Sequence, residues 1–267
     1  MDDNINLKKP ITYEEQVNKL REHNLEINDR KNVISFLESV NYYRFTGYLV
    51  QFRETKGEGK LDPSLHVQFD KARSIYEFDR ELRNFLLRYL EIVEVYCRSL
   101  IAYEFSRAVC VTEPFNQHYL FQRYSKPDKA EELFHKIEEN IDRFKDSLII
   151  KHHKAQYGGK YPVWVIVEML SFSELSKLYS CLPEDVKVII ARRMQTSADT
   201  MENYMHCLSV LRNKCAHAGR LYNSNMTNPT PRFSKRLLKA RPDFKKDSLF
   251  AFVVNVSKCL QIGRAHV

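Results

Sequence analysis

Residues 70–108 read DKARSIYEFDRELRNFLLRYLEIVEVYCRSLIAYEFSRA and form the longest regular pattern in the chain. Apolar side chains recur in this stretch at mostly three- and four-residue steps, at Ile75, Phe78, Leu82, Phe85, Tyr89, Val93, Cys97, Leu100 and Ile101. Such spacing lies along one face of an α-helix, so the stretch predicts one long helix with a single apolar stripe.

Shorter helical patterns precede this helix. Thr12 and Glu15 fit a capping box, which predicts a first helix from Thr12. A second helix is expected from Asn28 or Asp29. The aromatic run 41–48 is typical of a packed corner, and residues 53–64, with two glycines and a proline, predict an exposed loop or a short hairpin.

Helical patterns also follow the long helix. Residues 128–156 place Leu133, Ile137, Ile141, Phe144 and Leu148 on one predicted face. Further helices are expected at 163–182, which Pro183 ends, and from Glu184 to about Met194. The last core helix should begin near Ser197, with Gly219 as its left-handed cap. Since the chain has only 7 glycines, these patterns favour an all-α fold.

The composition indicates which partners to expect. A net charge of +8 and a pI of about 9.1 favour nucleic acid or an anionic membrane surface. No run of about 18 apolar residues is present, and the acidic, polar N-terminus lacks the features of a signal peptide, so we expect a cytoplasmic protein. The six cysteines form no Cys-x-x-Cys pair, which favours reduced thiols and no metal site.

The C-terminal region holds a basic segment. Residues 232–246 contain seven basic residues and one acidic residue. Two interpretations stay open: a solvated basic face, or a phosphate-contacting segment in which Phe233 and Phe244 stack on bases. The final six residues, 262–267, are what the codons ATC GGA AGA GCA CAC GTC would encode. These codons resemble a sequencing-adapter read, and we expect the six residues to be an artefact.

The segment Arg212-Asn-Lys-Cys-Ala-His217 holds residue types suited to metal-independent RNA cleavage. Histidine can exchange protons near neutral pH, as cleavage at a ribose 2′-hydroxyl requires. Arginine offers paired donors to the phosphate oxygens that gain charge in the transition state.

The spacing of this segment leaves its assembly open. At about 100° per residue, Arg212 and His217 point about 140° apart on an ideal helix, whereas Asn213 and His217 share a face. Either the helix distorts near its end, or two copies pool their residues across a dimer axis. The pattern alone is also compatible with a histidine at a helix end and an arginine in an ion pair.

Several blocks of the sequence resemble one protein family. They are Lys9-Pro10 with Tyr13, Gln16 and Leu20, then residues 41–48, residues 75–83, Glu91-Ile-Val-Glu94 with Arg98, Trp164 with residues 168–172, and residues 211–217 with 219–223. In this order they resemble the abortive-infection AbiD/AbiF-like family, which is grouped with the HEPN superfamily of helical, usually dimeric ribonucleases. The resemblance covers about residues 8–225.

The resemblance implies a fold and an organisation. It implies a HEPN-like helical bundle with an N-terminal helical extension and a basic C-terminal tail. We divide the chain into an N-terminal helical segment (1–52), a loop or short hairpin (53–69), a HEPN-like core (70–225), a basic segment (226–261) and the suspected artefact (262–267).

The resemblance also implies site residues and partners. Arg212, Asn213 and His217 are the expected catalytic residues, with no cofactor and no metal. The family often has a second histidine after the first, where this chain has Ala218. We expect RNA as substrate, a small structured RNA as a further partner, a homodimer and no membrane. Residues expected to contact RNA are Lys214, Arg220, Arg232, Lys235, Arg236, Lys239 and Arg241.

Other residues have a structural and a functional interpretation. Glu94 and Arg98 match the family and could support the site, although an ion pair within one helix is favoured. His152 and His153 are expected on a solvated basic face, and Trp164 in the core. The predicted function is a phage-defence endoribonuclease, and the alternative is a non-catalytic RNA-binding protein of the same fold.

Overall fold

The chain folds into α-helices joined by turns and short 3₁₀ helices. The computed structural model describes residues 7–55 and 59–264. Within these ranges no β-strand forms, and Glu26–Gln68 and Arg53–Leu61 are isolated bridges. The helices are α1 Tyr13–Glu22, α2 Arg30–Ser39, α3 Tyr42–Thr46, α4 Phe69–Val109, α5 Pro127–Asn140, α6 Leu148–Tyr157, α7 Val163–Met169, α8 Phe172–Cys181, α9 Glu184–Arg193, α10 Ala198–Ala216, α11 Lys235–Ala240 and α12 Leu249–Arg264. The predicted all-α fold is confirmed.

The chain is organised as two compact units. The first contains the described residues up to Arg83 together with Arg220–Asn223, and the second contains Asn84–Gly219 and the residues from Ser224 onward. Within the described ranges, no helix is both long enough and apolar enough to cross a bilayer.

The first unit begins with two helices whose starts match the sequence prediction. The Thr12 amide donates to the Glu15 carboxylate at 2.6 Å, and the Glu15 amide donates to the Thr12 hydroxyl at 3.2 Å, which is the predicted capping box. Asp29 caps α2 by accepting from the amide of Asn32 at 3.1 Å.

An aromatic cluster forms the core of the first unit. The Phe36 ring meets the rings of Phe45, Phe69 and Tyr76 edge-on at centroid distances of 5.1, 5.4 and 5.6 Å. Phe45 and Tyr48 are both buried, so the predicted packed corner at 41–48 is confirmed.

The ends of segment 53–64 are joined by backbone hydrogen bonds. The amide of Glu54 donates to Lys60 at 3.1 Å, and the amide of Asp62 donates to Phe52 at 2.8 Å. The loop glycine Gly57 lies outside the described residues.

A buried carboxylate organises the rest of the first unit. Asp79 is fully buried, and it accepts hydrogen bonds from Arg83 at 2.6 Å and from the Tyr48 hydroxyl at 2.6 Å. It also accepts the amides of Leu221 at 3.2 Å and Tyr222 at 2.7 Å. Burial and the bond to Asp79 raise the pKa of Tyr48 to about 12. The charge of Asp79 is thus compensated by several donors, as a buried carboxylate requires.

Helix α4 has the predicted length but only part of the predicted buried face. Val93, Cys97 and Ile101 are buried, as expected. Phe78 and Phe85 are instead 55% and 57% exposed. In the first half of the helix the buried positions include Asp79 and Arg83, together with Ala72, Leu86 and Leu90. The predicted stripe is wrong there because buried charges occupy positions that an apolar pattern cannot reveal.

In the second unit the stretch 163–182 forms two helices where the sequence predicted one. The Ser171 hydroxyl accepts the amide of Glu174 at 3.3 Å, and the Glu174 carboxylate accepts the amide of Ser171 at 2.8 Å. This second capping box starts α8, so the chain bends at Leu170 and Ser171. Trp164 on α7 is 54% exposed, which corrects the expectation that it packs in the core.

The stretch 128–156 is also divided. Helix α5 ends at Asn140, a 3₁₀ helix covers Ile141–Phe144, and α6 begins at Leu148. Leu133 and Ile137 are buried, but Leu148 is 84% exposed, so the single predicted face does not exist. The break lets α6 take its own direction, with Ile150 as its buried residue.

Helix α10 is central to the second unit. It packs against α8, α9 and α12, and it begins at the predicted cap, where the Ser197 hydroxyl accepts the amide of Thr200 at 3.3 Å. Its buried face includes Met201, Met205, Leu208, Leu211 and Cys215. This packing fixes the helix that carries the predicted catalytic residues.

The C-terminal region follows α10. All six cysteines are free, in agreement with the prediction of reduced thiols. The six suspect residues at 262–267 begin inside α12, and the last three, 265–267, lie outside the described residues.

Candidate functional site

Arg212 lies outside the buried face of α10, and its side chain contacts the Glu94 carboxylate of α4. Its Nε lies 3.2 Å from Oε2 of Glu94, and its side chain is 35% exposed. Oε1 of the same Glu94 accepts from Arg98 at 2.9 Å. Glu94 therefore joins two arginines from two helices, so the predicted pair within one helix is present but is part of a larger network.

Arg98 is held in turn by the break between α7 and α8. Its Nη1 donates to the backbone carbonyls of Val167 and, at 2.8 Å, of Leu170. Carbonyls at a helix C-terminus have no partner within the helix and are available to such a donor. The Glu168 carboxylate adds a longer contact to Arg98 at 3.9 Å. Arg98 is thereby fixed in place, and with it the carboxylate that orients Arg212.

Asn213 is positioned by α8. Its Nδ2 donates to the Ser173 hydroxyl at 2.9 Å. The next turn of the helix continues regularly, since the amide of His217 donates to the Asn213 carbonyl at 2.9 Å. Asn213 thus belongs to the same packed region as Arg212, through a different partner.

His217 follows the last residue of α10 as its C-terminal cap and is exposed. Among the residues that the structure describes, its imidazole takes part in no hydrogen bond or ion pair. Helix α10 stays regular up to Ala216, so no distortion turns His217 toward Arg212. Of the two arrangements that the spacing allowed, the distorted helix is absent.

The end of α10 is a Schellman motif. The amide of Gly219 donates to Lys214 at 2.7 Å, and the amide of Ala218 donates to Cys215 at 3.2 Å. The left-handed residue is Ala218, with φ of 54°, so the prediction that Gly219 adopts this conformation is wrong. Gly219 is needed for space, because a Cβ there would lie 2.7 Å from Cγ and 3.0 Å from the carbonyl oxygen of Lys214.

A groove of about 370 Å³ lies beside Arg212. Its basic lining residues are Arg98, Lys136, Arg143 and Arg212, and its acidic ones are Glu94, Glu168 and Glu174. Glu94 and Glu168 face Arg98, and Glu174 caps α8. The partly exposed guanidinium of Arg212 is therefore suited to contact an anion that enters the groove.

The residues of this site all lie in a region that matches a known protein family. The family model described as Abi-like protein matches residues 35–223, well over half of the chain. The chain belongs to the Abi-like protein family. No curated protein and no solved structure matches it. Membership supports a role in abortive infection, the form of phage defence for which the family is named.

The matched part of this Abi-like protein contains the network of Glu94, Arg98 and Arg212, and also Asn213 and His217. The basic segment lies beyond it. Of the residues expected to contact RNA, Arg232, Lys235, Arg236, Lys239 and Arg241 are exposed on or near α11. Four of the residues expected to contact RNA have intramolecular partners. Lys214 donates to Ser224 at 2.7 Å and Arg220 donates to the Gly47 carbonyl. Arg232 donates to the Asp199 carbonyl at 3.5 Å, and Arg241 donates to the Asp243 carboxylate at 3.4 Å.

The aromatic residues of the basic segment pack on each other. The rings of Phe233 and Phe244 meet at 4.8 Å and 78°, and Lys258 lies 4.7 Å from the centre of the Phe233 ring. Each ring thus has an aromatic neighbour, and the stacking of these rings on bases stays a prediction.

Sequence reasoning missed Ser173 and the break at Leu170–Ser171. The break could have been found, because Ser171 and Glu174 have the spacing of a capping box. Ser173 gave no separate signal. Among the described residues no cluster of three or more metal-binding side chains occurs.

Proposed function

We propose that this Abi-like protein is a metal-independent endoribonuclease of the HEPN superfamily, of the AbiD/AbiF-like type, that acts on RNA during abortive infection. The observation that carries the proposal is the placement of Arg212. Glu94 orients its guanidinium beside a groove, while Asn213 and the exposed His217 follow on the same helix.

The chemistry follows from these side chains. In the proposed reaction the ribose 2′-oxygen forms a bond to phosphorus, and the bond between phosphorus and the 5′-oxygen breaks. The neutral His217 imidazole accepts the 2′-hydroxyl proton, and the imidazolium so formed gives a proton to the leaving 5′-oxygen. Arg212 stabilises the added negative charge on the phosphate oxygens. The products are a 2′,3′-cyclic phosphate and a 5′-hydroxyl.

A homodimer would supply the arrangement that one helix lacks. Arg212 and His217 point in different directions on a regular α10, and a two-fold axis beside the end of α10 would bring the Arg212 of one protomer toward the His217 of the other. The proposed cytoplasmic enzyme is therefore a dimer whose site draws on both copies.

The test is an RNA cleavage assay in EDTA with analysis of the product ends. We expect cyclic phosphate ends and a rate loss of at least about 10²-fold in His217→Ala, the lower limit for a general acid–base residue. His206→Ala is the matched control, because His206 is an exposed histidine on the same helix. If folded His217→Ala cleaves as fast as the control, His217 is not the general acid–base residue. If the wild-type protein binds RNA but does not cleave it, the non-catalytic RNA-binding function is the better account.

Assembly is tested by mixing two inactive variants. Arg212→Ala and His217→Ala should each be inactive, while their mixed dimer should cleave RNA because it retains one Arg212 and one His217 in trans. Arg193→Ala is the control for Arg212→Ala, since Arg193 also pairs with a carboxylate, Glu104, at 3.0 Å. A monomer by light scattering with full activity would contradict the shared site.

A further inference from the structure

The second unit, which contains the groove beside Arg212, also has a cleft lined by aromatic rings. This cleft has a volume of about 580 Å³ and lies between α6, α7 and the segment after α4. We call it the aromatic cleft. Its ring-bearing lining residues are Phe115, His118, Tyr119, His152, His153, Tyr157, Tyr161 and Trp164.

Several rings of the cleft are already packed together. His153 contacts Tyr157 at 5.2 Å and Tyr161 at 5.9 Å, and His152 contacts Tyr157 at 5.7 Å. Below them, His118 Nε2 donates to the Tyr161 carbonyl at 3.1 Å, and burial lowers the pKa of His118 to about 4. These rings are therefore held in place before any ligand enters.

Trp164, which also lines the cleft, has no such partner. Its indole is 54% exposed and, within the described part of the chain, makes no ring contact and no hydrogen bond. Two further exposed rings, Phe115 at 49% and Tyr157 at 59%, lie in the same cleft. Aromatic side chains are usually buried in the core of a protein. Several exposed rings in one concave site are therefore typical of a ligand-binding site.

The charge around the cleft favours an anionic ligand. Its lining contains Lys160 and no carboxylate. Lys160 makes no ion pair with any described residue, whereas Lys151 and Lys154 on the adjoining helix α6 each reach an aspartate only at 3.5 and 3.8 Å. A purely apolar partner would gain nothing from these cations, but a planar base that carries a phosphate would use both rings and charge.

The cleft and the groove beside Arg212 both take lining residues from helix α7. Trp164 lines the cleft and Glu168 lines the groove, and the two residues are four positions apart on α7. Such residues share one helix face at a rise of about 6 Å.

We propose that the aromatic cleft binds an unstacked base of single-stranded RNA and so places a neighbouring phosphate in the groove beside Arg212. The choice of RNA as the source of the base rests on the proposed function. The binding of a base to the cleft rests on the rings and cations alone.

Trp164 is the single tryptophan of the chain, so its fluorescence reports directly on the cleft. The probe is a six-nucleotide single-stranded oligoribonucleotide, titrated in EDTA into full-length His217→Ala protein so that cleavage plays no part. We expect the emission to be quenched with saturation. The corresponding mononucleotide should quench much more weakly, because it lacks the neighbouring phosphate contacts.

Variants then separate stacking from general attraction. Measured by anisotropy of a labelled oligonucleotide, Trp164→Ala should weaken binding about 5- to 150-fold, the factor for loss of one stacked base. Trp164→Phe should restore most of the affinity, and Tyr103→Ala should have no effect, because Tyr103 is an exposed ring on α4 outside the cleft. Circular dichroism verifies that each variant is folded.

The outcomes distinguish this inference from the proposed function. If the wild-type protein cleaves RNA but the oligonucleotide does not quench Trp164, the cleft proposal fails and the nuclease stands. If quenching and the Trp164 effect occur without cleavage in the wild type, the nuclease fails and the base site stands. Equal affinity for the mononucleotide and the oligonucleotide would overturn RNA as the ligand.

Discussion

Replacing Asp79 with alanine should strongly destabilise the first unit. The carboxylate is fully buried and compensates the charge of Arg83, whose side chain is only 5% exposed. Loss of one member of a buried ion pair costs about 3–5 kcal/mol, because the other charge stays in a medium of low polarity. Asp79→Ala also removes the acceptor for the Tyr48 hydroxyl and for the two amides of Leu221 and Tyr222.

The expected loss is thus at least about 3 kcal/mol, a large part of the roughly 5–15 kcal/mol that typical domains have. The assay is urea unfolding followed by circular dichroism. Asp79→Asn keeps an acceptor oxygen without the charge and should lose less. Glu81→Ala, an exposed acidic residue on the same helix, should change stability by no more than about 0.5 kcal/mol. A loss below about 1 kcal/mol for Asp79→Ala would refute the reasoning, because it would fall short of the cost of a broken buried pair.

Three further predictions test other parts of the molecule. Glu94→Gln should lower the RNA cleavage rate at least about tenfold without unfolding the protein, because it weakens the charged contact that orients Arg212; an unchanged initial rate would count against that role. The free energy of unfolding should fall by about 3 kcal/mol as the pH drops from about 6.5 to about 4, because His118 in the unfolded chain binds a proton that the buried ring, with a pKa of about 4, does not. Urea unfolding of the wild type and of His118→Gln measures this, and midpoints that change with pH in parallel would contradict it. Alanine at Lys235, Arg236, Lys239 and Arg241 should reduce the slope of log K against log salt for RNA by about 0.7 for each phosphate that the variant no longer neutralises, and an unchanged slope would assign these exposed cations to solubility.

Helix starts were the most predictable features of the fold. Thr12, Asp29 and Ser197 cap their helices as expected, because a polar side chain that satisfies a free amide acts within three residues. The break at Ser171 obeys the same rule, yet the apolar residues around it concealed the capping box. The Ser171–Glu174 spacing signals a helix start, whereas the apolar residues of 163–182 predict one continuous helix.

Burial was less predictable where polar groups enter the core. Asp79 and Arg83 occupy buried positions of α4 because donors from distant parts of the chain compensate the carboxylate, and those donors are not visible from helical spacing. Trp164 shows the opposite case, since an apolar residue within an apolar helix is exposed.

The residues of the candidate site were predictable as a segment but not as an arrangement. Arg212 and Asn213 follow from the sequence, whereas their partners Glu94 and Ser173 come from α4 and α8. Only Glu94 had a sequence signal, through its spacing from Arg98. Because α10 is regular up to its end, Arg212 and His217 point in different directions, as the angle of about 140° on an ideal helix predicts. A dimer that brings the two residues together is a proposal.

The left-handed Ala218 has a consequence for the motion of the residue next to it. An L-amino acid with a Cβ costs roughly 1–2 kcal/mol in this conformation, and one or two kcal/mol corresponds to a ratio of about 5–30 between populations. The last turn of α10 can open by losing its terminal hydrogen bonds. With alanine at 218, this opened state is therefore populated more than it would be with glycine at 218, by about this factor. His217 lies on this turn, so it samples more directions than the buried residues before it, and the amides at 217–219 should exchange their hydrogens with solvent earlier than those of the preceding turns.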